Sequence, residues 1–141
     1  MSTEENKALV RRYNEEVWSR GNVDAVDEMI AADLLWGNEH VNAEGVKQFV
    51  TTMRAAFPDF QVTIEDMIAE GDKVAVRMTH RSTHLGEWKD SPVGTIPPTG
   101  KQVAYTGIVV YRIANNRIVE DRAELDMLSL LQQLGAIPAP G

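Results

Sequence analysis

The 141-residue sequence contains no cysteine. Disulfides, thiolate metal ligands and a cysteine nucleophile are therefore excluded. Basic residues are also scarce, because 14 lysines and arginines stand against 21 acidic residues and leave a formal net charge of −7. A surface of this charge repels phosphate backbones and anionic membranes at neutral pH. We therefore expect neither nucleic acid nor a membrane surface as a partner.

Long hydrophobic runs are missing as well. The first residues, MSTEENKALVRRY, open with acidic side chains and contain no apolar core. This pattern is typical of neither a signal peptide nor a membrane span. The length suits one domain with a sizeable core. We expect residues 1–141 to form a single domain in the cytoplasm.

The first half of the sequence has the apolar spacing of helices. Ser2 and Glu5 form a capping box that opens the first helix, and Gly21 follows its end. Asp24 is expected to cap a short second helix, and Pro58 ends the third. The predicted helices run from Ser2 to about Arg20, for a short stretch after Asp24, and from about Ala43 to Pro58.

The second half alternates with the period of strands. One hairpin is predicted around the turn at Glu70–Asp72, and a second around Asn115 and Asn116, which tolerate positive φ. The second hairpin passes at Asp126 into an apolar helix that Gly135 closes. Residues 85–100 are rich in proline and glycine and are expected to form an irregular loop at the lip of a binding site. Helices followed by a meandering sheet give an α+β fold.

Five segments in this order resemble the SnoaL-like polyketide cyclases, or ester cyclases, of the nuclear-transport-factor-2-like superfamily. They are FPDFQVTIEDMIAEGDKVAVR, THLGEW, PPTGKQV, YRIANNRIVED and LDMLSLLQQLG. The resemblance implies a cystatin-like roll, in which a curved antiparallel sheet forms a cone covered by the N-terminal helices with a short C-terminal helix. It also implies a deep apolar pocket, a homodimer formed through the sheet, and a hydrophobic small-molecule substrate. The implied reaction is an aldol-type ring closure that uses no metal or other cofactor.

In these cyclases one acid and one histidine carry the proton transfers. The resemblance places the acid at the position of Ala123 and the histidine at the position of Val109. Both groups are replaced here, so the fold of the family is implied more strongly than its reaction, and we expect both positions to contact substrate. The related limonene epoxide hydrolases imply a second set of positions, at which this chain has Met78, His80 and Asp126.

Asp121 is the first candidate for the catalytic acid/base. It lies two residues from Ala123, so the two side chains share a strand face. A carboxylate buried in an apolar cone has a raised pKa, as proton abstraction beside a carbonyl requires. Alternatively, Asp121 faces solvent or pairs with Arg112 or Arg122.

His80 and Asp126 are the other catalytic candidates. His80 continues the inward face of its strand and would then lie in the cone, or else it ends that strand at the rim. Asp126 would activate water in an epoxide hydrolase, or else it caps the helix that follows it. His80 and His84 have H-x3-H spacing, but on a strand this spacing does not bring two imidazoles together, so no metal site is expected.

The remaining candidates are substrate contacts. Trp36, Asn38 and His40 fall in the connection that is expected to face the pocket mouth. Aromatic walls suit flat ligands, although such residues also serve as core or dimer interface. The expected substrate-binding residues are Trp36, Asn38, His40, Met78, Trp88, Tyr105, Val109 and Ala123.

Three functions compete on this basis. The first is a cofactor-independent cyclase or isomerase acting on a hydrophobic polyketide-like or polycyclic carbonyl compound. The second is a carrier that binds such compounds without converting them, since both family residues are replaced. The third is an epoxide hydrolase of the limonene type that uses Asp126.

Overall fold

A computed structural model describes residues 2–139 of the chain. The first helix, α1, spans Thr3–Arg12 and begins with the predicted capping box. The Glu5 N–H donates to Ser2 Oγ at 3.1 Å, and the Ser2 N–H donates to Glu5 Oε1 at 3.3 Å. The helix continues as a π-helix over Tyr13–Ser19, and Gly21 leaves it with a positive φ of 72°.

The second helical region is built differently from the prediction. A 3₁₀ turn, Val23–Ala25, leads directly into the short α2 helix, Val26–Met29, and no side chain caps either one. Asp24 lies inside the 3₁₀ turn, so its prediction as an N-cap is wrong. The reason is that the Val26 N–H, from which a capping Asp24 carboxylate would accept, already donates to the Val23 carbonyl oxygen. The turn thus uses a backbone acceptor where a capping carboxylate was expected.

The third helix, α3, spans Ala43–Ala56 and covers the sheet. Asn42 caps it by accepting from the Gly45 N–H at 2.8 Å. Val46 and Val50 on its inner face are completely buried. Phe49, on the same helix, is half exposed and packs edge-on against Trp36 with ring centroids 5.0 Å apart. This position puts Phe49 at the edge of the core.

Six strands form one curved sheet. They are β1 (Ile30–Trp36), β2 (Glu39–Val41), β3 (Gln61–Glu70), β4 (Lys73–Thr83), β7 (Gln102–Ala114) and β8 (Arg117–Leu125). Their order across the sheet is β2-β1-β8-β7-β4-β3, and all neighbours are antiparallel except β1 and β8, which pair in parallel. Register shifts interrupt the pairing of β3 with β4 and of β7 with β8, and such bulges bend strands.

The long loop before β7 contains more regular structure than was predicted. Within it, β5 (Trp88–Ser91) and β6 (Gly94–Ile96) form a separate two-stranded sheet. The loop is anchored where the N–H groups of Leu85 and Gly86 both donate to the Ala56 carbonyl oxygen, at 3.1 and 3.0 Å. The prediction that residues 85–100 are irregular throughout is therefore wrong.

The C-terminal part follows the prediction closely. Asn115 and Asn116 form the turn between β7 and β8 with φ of 53° and 61°. The last helix, α4, spans Met127–Leu134, and Gly135 ends it with a φ of 75°. Together these elements confirm the α+β architecture. Among the described residues, no helix is long and apolar enough to cross a membrane.

Candidate active site

A cavity of about 730 Å³ lies between the inner face of the sheet, the first helix and α3. Its size is that of a pocket for a small organic ligand. Of the nine aromatic residues in the sequence, seven contribute to its wall. These are Trp18, Trp36, Phe49, Phe60, Trp88, Tyr105 and Tyr111. A flat, largely apolar ligand fits such a wall.

Asp121 lies in this wall and is 5% exposed. Burial in the apolar surroundings raises the pKa of its carboxyl group to about 7. The alternative prediction, that Asp121 faces solvent or pairs with Arg112 or Arg122, is therefore wrong. Arg112 instead pairs with Glu120 at 3.4 Å on the outer face, and no ion pair of Asp121 is found among residues 2–139. Near neutral pH, therefore, Asp121 can both release and take up a proton.

Tyr111 and Tyr13 stand beside Asp121. Tyr111 is its cross-strand partner on β7, and the Tyr13 ring packs edge-on against Tyr111 with centroids 6.2 Å apart. The pKa of both tyrosine hydroxyl groups is well above the ordinary value. Burial is the main cause, and the nearby Asp121 charge is the second. Asn14 Nδ2 donates to the Tyr111 hydroxyl oxygen at 3.2 Å. The Tyr111 hydroxyl accepts this bond, so its own proton stays available for donation.

Asn14 lines the cavity from the start of the π-helix that continues the first helix. Asn14 also donates to the Val10 carbonyl oxygen at 3.0 Å, within the first helix. Sequence reasoning missed Asn14 and Tyr13 as site residues. A signal was present, because Asn14 is a polar residue four positions after the core residue Val10, where a helix of this pattern would bury an apolar one. π-Helical turns are frequent at functional sites.

His80 lies in the same wall and is 7% exposed. The rings of Tyr105 and Phe60 pack edge-on against the imidazole, with centroids 4.9 and 5.1 Å away. Burial lowers the pKa of His80 to about 4, so the ring is neutral at pH 7. Neither ring nitrogen has a hydrogen-bond partner among the described residues. Of the two sequence interpretations, the structure therefore favours the cavity over the rim.

Similarity to known proteins identifies the family of this chain. The family model of the SnoaL-like polyketide cyclases matches residues 8–134. This chain belongs to the SnoaL-like polyketide cyclase family. A comparison with curated proteins gives no significant match.

Several solved structures have the same fold as the chain. A candidate polyketide cyclase from Acidithiobacillus ferrooxidans is 33% identical with a TM-score of 0.79, and the alignment covers 96% of this chain and 99% of that one. AclR from Streptomyces galilaeus, described as a candidate hydroxylase, is 27% identical with a TM-score of 0.85, covering 99% of this chain and 87% of that one. IdmH, a candidate polyketide cyclase from Streptomyces antibioticus, is 27% identical with a TM-score of 0.76, and the alignment covers 92% of this chain and 98% of that one.

The two positions where the resemblance to SnoaL-like cyclases implies an acid and a histidine are direct cross-strand neighbours. Val109 on β7 pairs with Ala123 on β8, and both line the cavity. Asp121 lies on the same face, two residues along β8. The carboxyl group is thus displaced by about 7 Å along the strand from the position of the cyclase acid.

Asp121 and His80 do not form a pair in this SnoaL-like fold. Asp121 is in register with Tyr111, whereas His80 is in register with Tyr105. Six residues of β7 separate the two register positions, which is ~20 Å along a straight strand and less along a curved one. Direct proton transfer between the two groups is therefore excluded. They contact different regions of one cavity.

Three predicted site residues lie outside the cavity. Asp126 is exposed and accepts from the Ser129 N–H at 3.0 Å, so it caps α4. The prediction that it lies in the cone is wrong. Asn38 lies exposed in the turn between β1 and β2. His40 is also exposed, with Nδ1 3.0 Å from Asp33 Oδ1. The tight β1–β2 hairpin carries Asn38 and His40 away from the mouth, which explains both errors.

The other expected substrate contacts do line the cavity. They are Trp36, Met78, Trp88, Tyr105, Val109 and Ala123. His84 takes no part in it, because it stacks on Phe57 and its Nδ1 lies 3.0 Å from Thr99 Oγ1. No cluster of three potential metal ligands is found among the described residues. The roles of the lining residues in binding or catalysis stay predictions.

Proposed function

We propose that the protein catalyses the cyclisation or isomerisation of a hydrophobic carbonyl compound, with Asp121 as the acid/base. The observation that carries this proposal is a carboxyl group with a pKa of about 7 in the wall of a largely aromatic cavity. A group whose pKa lies near the working pH is both a competent base and a competent acid. Membership of the SnoaL-like polyketide cyclase family supports the same class of reaction.

The reaction begins with the carboxylate form of Asp121. It removes a proton from the carbon next to the substrate carbonyl, and the electrons of the broken C–H bond form an enolate. In a cyclisation, the enolate carbon attacks a second carbonyl of the same substrate and forms a C–C bond. Asp121 then returns its proton to the resulting alkoxide. In an isomerisation, the proton returns to another carbon of the enolate, so neither reaction requires an oxidant or a reductant.

Tyr111 is the proposed donor to the enolate oxygen. Its hydroxyl group is neutral because burial and the Asp121 charge oppose its ionisation. The hydrogen bond from Asn14 at 3.2 Å occupies one acceptor position of this hydroxyl and fixes its orientation. Donors held in place at the site where charge develops lower the reaction barrier without further reorganisation. Asn14 is thus a positioning residue that acts through Tyr111.

Exchange of hydrogen for deuterium next to the carbonyl of 2-tetralone tests the proposal without knowledge of the natural substrate. The wild-type protein should accelerate this exchange in D2O, as followed by proton NMR. Asp121→Asn should lower the protein-dependent rate by roughly a hundredfold or more. Glu120→Gln, one residue away on the outer face, is the matched control and should keep the wild-type rate.

The pH dependence of the exchange sharpens the test. The reactive form of Asp121 is the carboxylate, so the wild-type rate should rise with pH and level off above about 7. An Asp121→Asn variant that binds the ketone and exchanges its protons at the wild-type rate would contradict the assignment of the base.

We also propose a homodimer formed through the outer face of the sheet. Ile68, Ile108 and Val110 are 69%, 52% and 37% exposed on this face, and exposed apolar patches mark interfaces. Ile108→Lys should convert a dimer into a monomer in sedimentation velocity, whereas Leu85→Lys, in the exposed loop, should not. A wild-type monomer at high protein concentration would contradict this proposal. A cytoplasmic location and a single domain over residues 1–141 stay predictions from the sequence.

A further inference from the structure

The lining of the cavity has no positive charge at neutral pH. Neither lysine nor arginine is present among the described residues that line it. His80 belongs to the wall, but burial lowers the pKa of its imidazole to about 4 and keeps the ring neutral. Three acidic residues contribute to the lining, namely Asp90, Asp121 and Glu124. The charged part of the wall is therefore wholly acidic.

Asp121 differs from the other two acidic residues because it is buried, whereas Asp90 and Glu124 are exposed. Burial alone shifts the pKa of Asp121, and neither a hydrogen bond nor an ion pair with a described residue contributes. Its carboxyl oxygens are not among the unpartnered side-chain atoms that are fully enclosed, which include both His80 nitrogens. The Asp121 oxygens are therefore open to the cavity, and a ligand atom can reach them.

The missing element of this wall is a countercharge for Asp121. Buried charges in folded proteins are paired as a rule, because their removal from water is costly. Since the described lining holds no cation, a ligand is the remaining source of a positive charge. The aromatic part of the wall suits the same kind of ligand. Three tryptophans line the cavity, and the face of an indole ring attracts organic cations.

We propose that the cavity takes a flat ligand that carries a protonated amino group, and that this group forms an ion pair with the Asp121 carboxylate. This inference rests on the proposed function, because it narrows the substrate of the same site to a carbonyl compound with an amino group close to the reacting carbon. A carboxylate has two oxygens, so one can accept from the ammonium group while the other removes the proton from carbon. The ammonium group also holds Asp121 in the ionised form that reacts.

Three naphthalene compounds test this charge selection by binding alone. 2-Naphthylmethylamine is a cation at neutral pH, 2-naphthylmethanol is uncharged, and 2-naphthoate is an anion. Isothermal titration calorimetry at pH ~8 measures the three dissociation constants. The wild-type protein should bind the amine at least roughly tenfold more tightly than the alcohol, as a charge-assisted hydrogen bond implies, and should bind naphthoate most weakly.

Three variants locate the group that selects the cation. Asp121→Asn should abolish the preference for the amine and leave the affinity for the alcohol close to the wild-type value. Glu120→Gln, on the outer face of the same strand, is the matched control and should keep the preference. The double variant Asp90→Asn/Glu124→Gln should keep most of it, because exposed carboxylates are screened by solvent.

Four results would each overturn the proposal. The first is equal affinity of the wild-type protein for the amine and the alcohol, or no binding of the amine. The second is tighter binding of naphthoate than of the amine. The third is an unchanged preference in Asp121→Asn, and the fourth is loss of the preference in the Asp90→Asn/Glu124→Gln variant.

Proton release from the wild-type protein covers the case in which an Asp121 variant does not fold. The carboxyl group of Asp121 has a pKa of about 7, so most of it is protonated at pH ~6. The ion pair requires the carboxylate, so binding of the amine at this pH should release close to one proton, and binding of the alcohol should release none. Calorimetry in buffers of different ionisation enthalpy counts the protons.

Other groups of the cavity do not account for such a proton. β1 and α3 contribute only uncharged side chains to the lining. The exposed acidic residues are absent from Asp90→Asn/Glu124→Gln, in which the release should persist. The remaining titratable groups near the cavity are neutral at pH ~6, and they are Tyr13, Tyr105, Tyr111 and His80.

An absence of proton release with the amine, or equal release with the alcohol, would overturn the ion pair. None of the three probes is a ketone, so a negative result leaves the exchange assay with 2-tetralone unaffected. The two proposals therefore fail separately.

Discussion

Replacing Asp121 by asparagine should stabilise the protein at alkaline pH. The folded-state pKa of Asp121 is about 7 because burial disfavours the charged form, whereas an unfolded chain has an aspartate pKa of about 3.8. Below the unfolded pKa both states are protonated, and folding carries no penalty. As pH rises through the window from about 4 to 7, the unfolded state releases its proton first, and the penalty grows until the folded state ionises as well.

The size of the effect follows from the width of this window. A difference of about three pKa units corresponds to roughly 4 kcal/mol, at about 1.4 kcal/mol for each unit. Asp121→Asn should therefore raise the free energy of unfolding by up to about 4 kcal/mol at pH ~8 and by less than about 2 kcal/mol at pH ~5. The asparagine amide still needs partners in the cavity wall, which makes these values upper limits.

Urea unfolding of both proteins at the two pH values measures the difference. The matched control is Glu120→Gln on the same strand, since Glu120 lies on the outer face beside Arg112. Its effect should be small at both pH values. The reasoning is refuted if Asp121→Asn changes stability by the same amount at both pH values, or if it destabilises the protein at the higher one.

Three further outcomes are expected. Asp126→Ala should lower stability by about 1 kcal/mol through loss of the α4 cap, as measured by thermal melting, and should leave the ketone exchange rate unchanged. Gly86→Ala should destabilise strongly, because its Cβ would overlap the Ala55 carbonyl oxygen, whereas Gly71→Ala meets no atom and should cost only about 1 kcal/mol for its positive φ. Asn14→Leu should lower the exchange rate constant more than the affinity for 2-tetralone, because it releases the Tyr111 hydroxyl.

Local chemistry made much of the fold predictable. The capping box of Ser2 and Glu5, the Asn115–Asn116 turn and the Gly135 helix end each depend on a few adjacent residues. Such signals are readable without knowledge of the tertiary structure. Strand alternation likewise placed Asp121 on the same face as Ala123, and the structure shows that this face lines the cavity.

Features that depend on distant contacts could not be predicted. The parallel pairing of β1 with β8 joins segments about ninety residues apart, and no local pattern announces it. The π-helix over Tyr13–Ser19 was not predicted, because the ordinary helical period was assumed for the whole of the first helix. The separation of His80 from Asp121 depends on the register of β7 with both neighbours. Strand alternation gave the face of each residue but not its position along the cone.

The energetic cost of the polar groups argues for chemistry over storage. A buried carboxyl group with a pKa of about 7 costs about 4 kcal/mol in its ionised form. An unpaired buried imidazole adds about 1–3 kcal/mol. Together these are a large share of the 5–15 kcal/mol by which domains are typically stable. The proposed acid/base role accounts for the cost of Asp121, because proton abstraction requires a carboxyl group whose pKa lies near the working pH.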